Sequence, residues 1–360
     1  MRDVSDCWKL DIAAVAHDIS TRSLSPVALT EMMLDRIARI DPKLLSYVTV
    51  LKDDAISSAR LAEKEIADGN YRGALHGVPI AIKDIYDSKG VRTTACSKVR
   101  ENYIPAEDST VVRKFREAGA VILGKVTTHE CAYGFDSRPT KNAWNLNHIP
   151  SGSSGGSGAA IAAGLCFAAT GSDTGGSIRA PAAANGITGI KPTYGRVSKA
   201  GVAVLSWSLD HAGPMARTVR DLAILLGVMA GSDPLDPHTK DIAVPNYAAG
   251  LSGDISGVRL GLPSNYFFDD VELFVERAVR TRHGRFGSAR RKSRSGLHPR
   301  PGWGPGLHAG DRNVGGRHLP PADDAGDARI VQRRNAPIAR DGRADARHDL
   351  YQRAAFAVGD

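Results

Sequence analysis

Residues 150–182 read PSGSSGGSGAAIAAGLCFAATGSDTGGSIRAPA. Two Gly/Ser clusters flank a run of small and apolar residues, in which Ser157–Gly164 suits a helix and Leu165–Thr170 a buried strand. Glycine has no Cβ, so such clusters let the backbone approach a ligand and aim successive N–H groups at one point, which is how an oxyanion hole is built. A pair of flexible linkers shares this composition. Linkers seldom enclose a buried strand and end in Ser-Ile-Arg-Ala-Pro, so the stretch reads as part of a site.

Upstream, Ser25 and Pro26 form an N-cap and first-turn pair. Leu29, Met33, Ile37 and Ile40 follow at helical spacing, and Pro42 is expected to stop the run. A second helix is expected from Asp53 to Asp68, ending at Gly69. From Val78 the pattern changes to short apolar runs bounded by Gly and Pro: Val78–Ile82, Ala120–Leu123 and Leu165–Thr170, with a helical stretch at Ser109–Ala118. The alternation predicts an α/β fold whose strands are buried in the sheet.

The 360 residues are 42% hydrophobic and 24% charged, which excludes fibrous and wholly disordered classes and allows a large core. A net charge of +8 raises the question of an anionic partner. Its placement answers it. Residues 281–360 hold 15 Arg and one Lys against eight Asp and no Glu, whereas residues 1–280 carry 31 charges of each sign. Those last 80 residues contain 11 Leu, Ile, Val and Phe against 12 Gly, too few for a packed core. Helical periodicity persists over Val271–Arg280, and then the composition breaks. The expected organisation is a folded domain over 1–280, with its motifs within 73–232, and an Arg/Gly/Pro-rich tail over 281–360 that is disordered or an out-of-frame translation. Cys7, Cys96, Cys131 and Cys166 lie at least 35 residues apart, which encodes neither a disulfide framework nor a zinc knuckle. The N-terminus lacks a basic start followed by an apolar stretch, and the longest apolar run is too short to span a bilayer, so a cytoplasmic location is expected.

A serine nucleophile needs a base. His17, His76, His129, His148, His211 and His238 carry no local mark of that role and read as surface or hydrogen-bonded structural residues. Lys83, in Gly77-Val-Pro-Ile-Ala-Ile-Lys83-Asp84, ends a run that looks buried, and burial disfavours the ammonium form. The same spacing fits a strand-end lysine paired with Asp84, and the residues alone leave both readings open. Two motifs are near misses. Gly119-Ala-Val-Ile-Leu-Gly124-Lys125-Val126 departs from the P-loop in its last residue and encloses a strand instead of a phosphate-cradling loop. Gly152-Ser153-Ser154-Gly155-Gly156 fits G-x-S-x-G, but that elbow needs a preceding strand and Asn147–Pro150 is a loop.

Five segments in order resemble the amidase signature family: GVPIAIKD (77–84), GSSGGS (152–157), GSDTGGSIRAPA (171–182), GIKPTYGRVS (189–198) and SLDHAGPMARTVRD (208–221). Weaker similarity runs from about residue 8 to 280. The resemblance implies one α/β domain with a central mixed β-sheet covered by α-helices, incomplete at its C-terminus. It implies that Ser177 attacks an amide carbonyl, that Ser153 is the serine preceded by a cis peptide bond and relays the proton, and that Lys83 is the base as a neutral amine. Backbone N–H groups of Thr174, Gly175, Gly176 and Ser177 match the oxyanion hole. Asp173 and Arg179 match residues that support this loop, and Ser154 a secondary serine near the relay. Tyr133 falls in a loop that lines the acyl pocket in relatives and is the candidate substrate contact; a packing aromatic is the other reading.

The implied reaction is cleavage of a carboxylic acid amide to carboxylate and ammonia or amine, with no metal or organic cofactor. The expected partner is a small-molecule amide, with no membrane and no nucleic acid, and self-association is left open. Within the family, the competing reading is the glutaminase subunit of a tRNA-dependent amidotransferase, which typically has Gln where this chain has Ala180. Urea- or allophanate-type substrates are a further alternative. A frameshifted, inactive product is the reading from a different class. The fourth, a nucleic-acid-binding tail, has one Trp, Trp303, and no recognisable module.

Overall fold

The computed structural model describes residues 3–255, 258, 261–263, 266–285 and 294–296. They fall into two units: residues up to 205 together with 209–251, and residues 206–208 together with the described residues from 252 onward.

The first unit begins with α1 (Ile12–Ser20), capped by the Asp11 carboxylate accepting from Ala14 N–H at 2.8 Å. Ser25 caps α2 (Pro26–Leu44), accepting from Ala28 N–H at 3.1 Å, and Leu29, Met33 and Ile37 form its buried stripe. Pro42 does not stop this helix as the sequence suggested. It sits in the last turn, where its missing N–H forfeits a single bond, and the chain leaves through Leu45 in the left-handed region at φ 58°. Then come β1 (Tyr47–Val50), α3 (Lys52–Ala67), β2 (Pro79–Lys83), α4 (Thr110–Glu117), β3 (Val121–Val126), α5 (Gly155–Ala162), β4 (Ala168–Asp173), α6 (Arg179–Asn185), β5 (Thr188–Gly189), β6 (His211–Ala216) and α7 (Val219–Met229).

The strands form one mixed sheet in the order β1-β3-β2-β4-β6-β5. β2 runs parallel to both β3 and β4, while β1, β6 and β5 are antiparallel to their neighbours. Every residue of β2, β3 and β4 is buried, as expected of central strands covered on both faces. β4 starts three residues later than its apolar run. Gly164 is left-handed at φ 66°, and Leu165 N–H bonds back to Ala160 O, so a Schellman-type stop for α5 consumes the first residues of that run.

The glycines of α5 are packing devices. A Cβ on Gly156 would meet the backbone and hydroxyl of Thr127, just past β3, and one on Gly158 would meet Asn185 Nδ2 in α6. Small residues thus let the helix lie against the sheet and α6, and they hold its first turn where Ser153 and Ser154 enter the interior.

In the second unit, β7 (Gly261–Pro263) pairs in parallel with β8 (Arg294–Gly296), and α8 spans Leu273–Arg285. The helix runs beyond Arg280, where the tail was expected to begin. The rest of that tail, apart from 294–296, lies outside the described residues. Among the described residues no helix is long and apolar enough to cross a membrane.

The packing of α5 is testable. Gly156→Ala should overpack the contact with Thr127 and destabilise the protein by about 1–3 kcal/mol. Urea unfolding of the two proteins measures this, and an unchanged midpoint would show that the contact has room.

Candidate active site

Because β2 and β4 are parallel neighbours, their C-terminal ends come together, and with them Lys83 and the residues Thr170–Asp173. Thr170 Oγ1 accepts the Lys83 backbone N–H at 2.8 Å. The Lys83 side chain is fully buried. Its Nζ donates to three hydroxyls: Ser153 Oγ at 2.8 Å, Ser154 Oγ at 2.9 Å and Ser172 Oγ at 2.8 Å. Burial pushes the amine down to about 7, against the opposing pull of Asp173, Asp210 and Cys96. An ordinary lysine would be an ammonium throughout the neutral range; this one is poised to lose its proton there.

The pairing of Lys83 with Asp84 is not what the chain forms. The Asp84 carboxylate turns to accept from Thr94 N–H at 3.0 Å and Thr94 Oγ1 at 2.5 Å, and it lies 3.7 Å from Lys125 Nζ. Lys125 also donates to Tyr86 O at 2.5 Å and Thr93 Oγ1 at 2.8 Å. Burial lowers this second lysine to about 8, with Asp84 and Asp87 pulling the other way. The P-loop near miss is therefore a buried strand carrying a structural ion pair.

Ser153 is fully buried, and the Gly152–Ser153 peptide bond is cis. Its carbonyl accepts from His129 N–H at 3.0 Å and from Ser137 Oγ at 3.1 Å. Ser154 Oγ receives the Ser172 N–H at 3.2 Å in addition to Lys83, and no strand precedes it, so the G-x-S-x-G elbow is absent. Ser154 N–H donates to the carbonyl of Ser177 at 3.2 Å, which brings the loop after β4 against the start of α5. Ser177 itself is 5% exposed.

Asp173 organises that loop. Its carboxylate accepts from Gly176 N–H at 2.8 Å, Ile178 N–H at 3.1 Å, Arg179 Nε at 3.0 Å and Arg179 Nη2 at 2.9 Å. Burial alone would raise its pKa, but the Arg179 pair and the N–H bonds outweigh it and hold the carboxyl below its ordinary value. Gly176 sits at φ 135°, a conformation open to glycine. A Cβ on Gly175 would meet open space. Of the four N–H groups matched to an oxyanion hole, that of Gly176 is engaged by Asp173.

Tyr133 is half-buried, and its backbone N–H bonds to Glu130 O at 3.0 Å; no side-chain bond joins it to the other candidates among the described residues. Several residues of the site went unread in the sequence. Thr170 and Ser172 alternate on one strand, and both turn toward Lys83; two hydroxyls two residues apart at the end of an apolar run were the available signal. Asp210 went unread, and His211, read as a surface or hydrogen-bonded structural residue, is indeed hydrogen-bonded through its ring. Among the described residues, no group of three or more His, Cys, Asp or Glu side chains is arranged to hold a metal ion.

The amidase family model matches residues 28–286. The A-subunit of the glutamyl-tRNA(Gln) amidotransferase of Carboxydothermus hydrogenoformans is 46% identical over 279 residues, covering 76% of this chain and 58% of that protein. The chain therefore spans a little over half the length of this relative. Among solved structures, a native peptide amidase from Stenotrophomonas maltophilia superposes with a TM-score of 0.75 at 34% identity, over 81% of this chain and 63% of that one. The A-subunit of the Thermotoga maritima glutamyl-tRNA(Gln) amidotransferase gives a TM-score of 0.72 at 30% identity, over 98% of this chain and 75% of that one.

The depressed Lys83 leaves a mark on stability. Between about 7 and the ordinary value of 10.5 the unfolded chain holds a proton on this lysine that the folded chain has released. Stability conferred through Lys83 therefore rises with pH across that window and is flat below it. Lys83→Met should lack this rise, so its stability relative to wild type should fall between pH 7 and pH 9 in urea titrations. Parallel pH dependences for the two proteins would show that Lys83 is not depressed.

Proposed function

The chain belongs to the amidase family, and from that premise we propose that it hydrolyses a carboxylic acid amide through an acyl-enzyme on Ser177. The observation that carries the reading is the buried Lys83 amine bonded to Ser153 Oγ, with a proton affinity brought near neutrality. A neutral amine ringed by hydroxyls can take a proton through one of them.

In this reading Ser177 Oγ attacks the amide carbon as its proton passes to Ser153 Oγ, whose own proton moves to Lys83 Nζ. The developing oxyanion meets the N–H groups of Thr174, Gly175 and Ser177, Gly176 N–H being held by Asp173. Collapse of the tetrahedral intermediate breaks the C–N bond, and the proton returns from Lys83 through Ser153 to the leaving nitrogen. Water then attacks the ester by the same relay in reverse and frees the carboxylate and Ser177. Arg179 and Asp173 hold the loop, Ser154 and Ser172 share the solvation of the amine, and Tyr133 is the proposed substrate contact. We place the enzyme in the cytoplasm.

A second reading is favoured by the identity to the amidotransferase A-subunits: hydrolysis of glutamine with transfer of ammonia to a partner protein. Ala180, where such subunits typically carry Gln, favours free amide hydrolysis. Ammonia release from simple amides by the isolated chain supports the first reading, and glutamine hydrolysis only with a partner present replaces it by the second. Residues 287–360 lie outside the family match, and an out-of-frame origin of this tail is the rival to the reading of an active enzyme. On that rival reading, translating the gene in its other two frames beyond residue 280 should yield a family-like C-terminus. If it does, the present chain lacks part of its pocket and its activity should be low; if neither frame does, the frameshift reading is wrong.

Labelling by a serine-directed fluorophosphonate tests the nucleophile. Ser177→Ala should abolish labelling, and Ser153→Ala and Lys83→Ala should slow it by about 10²–10⁴. For wild type, kcat/KM should fall as the pH drops below about 7, because Lys83 becomes protonated. Labelling that persists in Ser177→Ala and vanishes in Ser154→Ala would move the nucleophile to Ser154.

A further inference from the structure

His211 opens β6 and pairs across the ladder with Asp173, the last residue of β4. Its ring joins three segments. Nδ1 lies 2.6 Å from the Leu209 carbonyl oxygen and 3.2 Å from that of Asp173. Carbonyl oxygens only accept, so a nitrogen facing two of them carries the proton. Nε2 lies 3.2 Å from Lys191 Nζ, an ammonium that only donates, so Nε2 is the acceptor. The surroundings thus select the neutral Nδ1–H tautomer. An imidazolium would set a second N–H against the Lys191 charge.

The preceding residue grips the same loop. Asp210 accepts from Thr174 Oγ1 with one carboxylate oxygen and from Leu205 N–H at 2.8 Å with the other. Asp173–Thr174 is where β4 ends and the backbone turns into Gly175, Gly176 and Ser177. The Asp173 carboxylate fastens the far side of that turn, at Gly176 and Ile178. Its near side is fastened by Asp210 and His211. The groups facing His211 are Lys191, the Tyr194 ring packed edge-on at 5.4 Å, Asp173 with its Arg179 partner, and Asp210 beside it in the chain.

We propose that Asp210 and His211 form a positioning clamp on the Asp173–Thr174 end of the Ser177 loop, with His211 locked as the Nδ1–H tautomer by Lys191. The clamp rests on the reading of Ser177 as nucleophile, since its consequence is the aim of the Thr174, Gly175 and Ser177 N–H groups. Protonating His211 breaks the Lys191 contact and loosens the clamp. Burial and the Lys191 charge both lower the pKa of the ring, which keeps the clamp closed at neutral pH.

Two kinds of measurement decide it. Nitrogen NMR of the full chain with labelled histidine reads the tautomer without any need for activity. Expected are an Nδ1–H ring at neutral pH, titration below the ordinary 6.5, and an upward shift of that titration in Lys191→Met. An Nε2–H tautomer, or a titration indifferent to Lys191→Met, overturns the proposal whether or not Ser177 is the nucleophile. In amide hydrolysis, His211→Ala should lower kcat by about 10- to 100-fold with little change in KM. Asn can place a donor where Nδ1 stands, and His211→Asn should recover most of the loss. Wild-type kcat in His211→Ala, or equal impairment in both variants, overturns the clamp. A wild-type chain with the Nδ1–H tautomer but no serine labelling would instead remove the Ser177 reading and, with it, the catalytic purpose of the clamp.

Discussion

An amine sealed inside the protein with three hydroxyls as its direct partners is the constraint from which the rest of the site follows. Removing an ammonium from water is costly, and a carboxylate in contact would offset that cost by fixing the charge. Ser153, Ser154 and Ser172 offer a different solution. A hydroxyl can accept from the ammonium and, after a proton leaves, donate to the free amine, so the same three partners satisfy both states. The neighbouring carboxylate must then be kept away. Asp84 is turned to Lys125 on the adjacent strand, where it sustains an ion pair with structural bonds around it. Two buried lysines on neighbouring strands thus have opposite surroundings.

Such a cage can only be built from several elements at once. The parallel pairing of β2 with β4 sets Lys83 beside Thr170 and Ser172, and the strand's two-residue period turns both hydroxyls the same way. Ser153 and Ser154 come from a different segment, the entry to α5, and reach the amine because Gly156 lets that helix approach Thr127. Close packing of the helix and solvation of the lysine are one requirement. The strands bearing Lys83, Thr170 and Ser172 are buried throughout, so these groups are held by the core of the sheet.

Local chemistry made part of this legible in the sequence. The Ser25–Pro26 start of α2, the α3 stop before Gly69, and the runs that became β2 and β3 follow from capping and periodicity alone. β6 escaped because His-Ala-Gly-Pro-Met-Ala interrupts its apolar signal with two residues that strands avoid; its pairing with β4 is a tertiary fact. The first Gly/Ser cluster suggested a backbone open to a ligand, whereas Gly156 and Gly158 serve helix contact and the open glycine is Gly175. Lys83 could be singled out, but whether it faced Asp84 or hydroxyls depended on which way Asp84 turned after the strand. His211 bore no mark, since two of its ring partners, Lys191 and Asp173, lie 20 and 38 residues away.

The second buried charge, Asp173, connects the amine to the loop that carries Ser177. It stands close enough to Lys83 to favour the ammonium, which works against a free base. Burial outweighs that pull. Arg179 contributes two N–H bonds and a positive charge, and the backbone N–H groups of Gly176 and Ile178 absorb the remaining lone pairs. The carboxylate's bonds thus go to the turn it organises, and Lys83 remains near neutrality because its burial outweighs the nearby anion. Arg179 acts locally on the loop: by answering Asp173, it lets one buried carboxylate shape the backbone around Ser177, while burial governs the Lys83 amine.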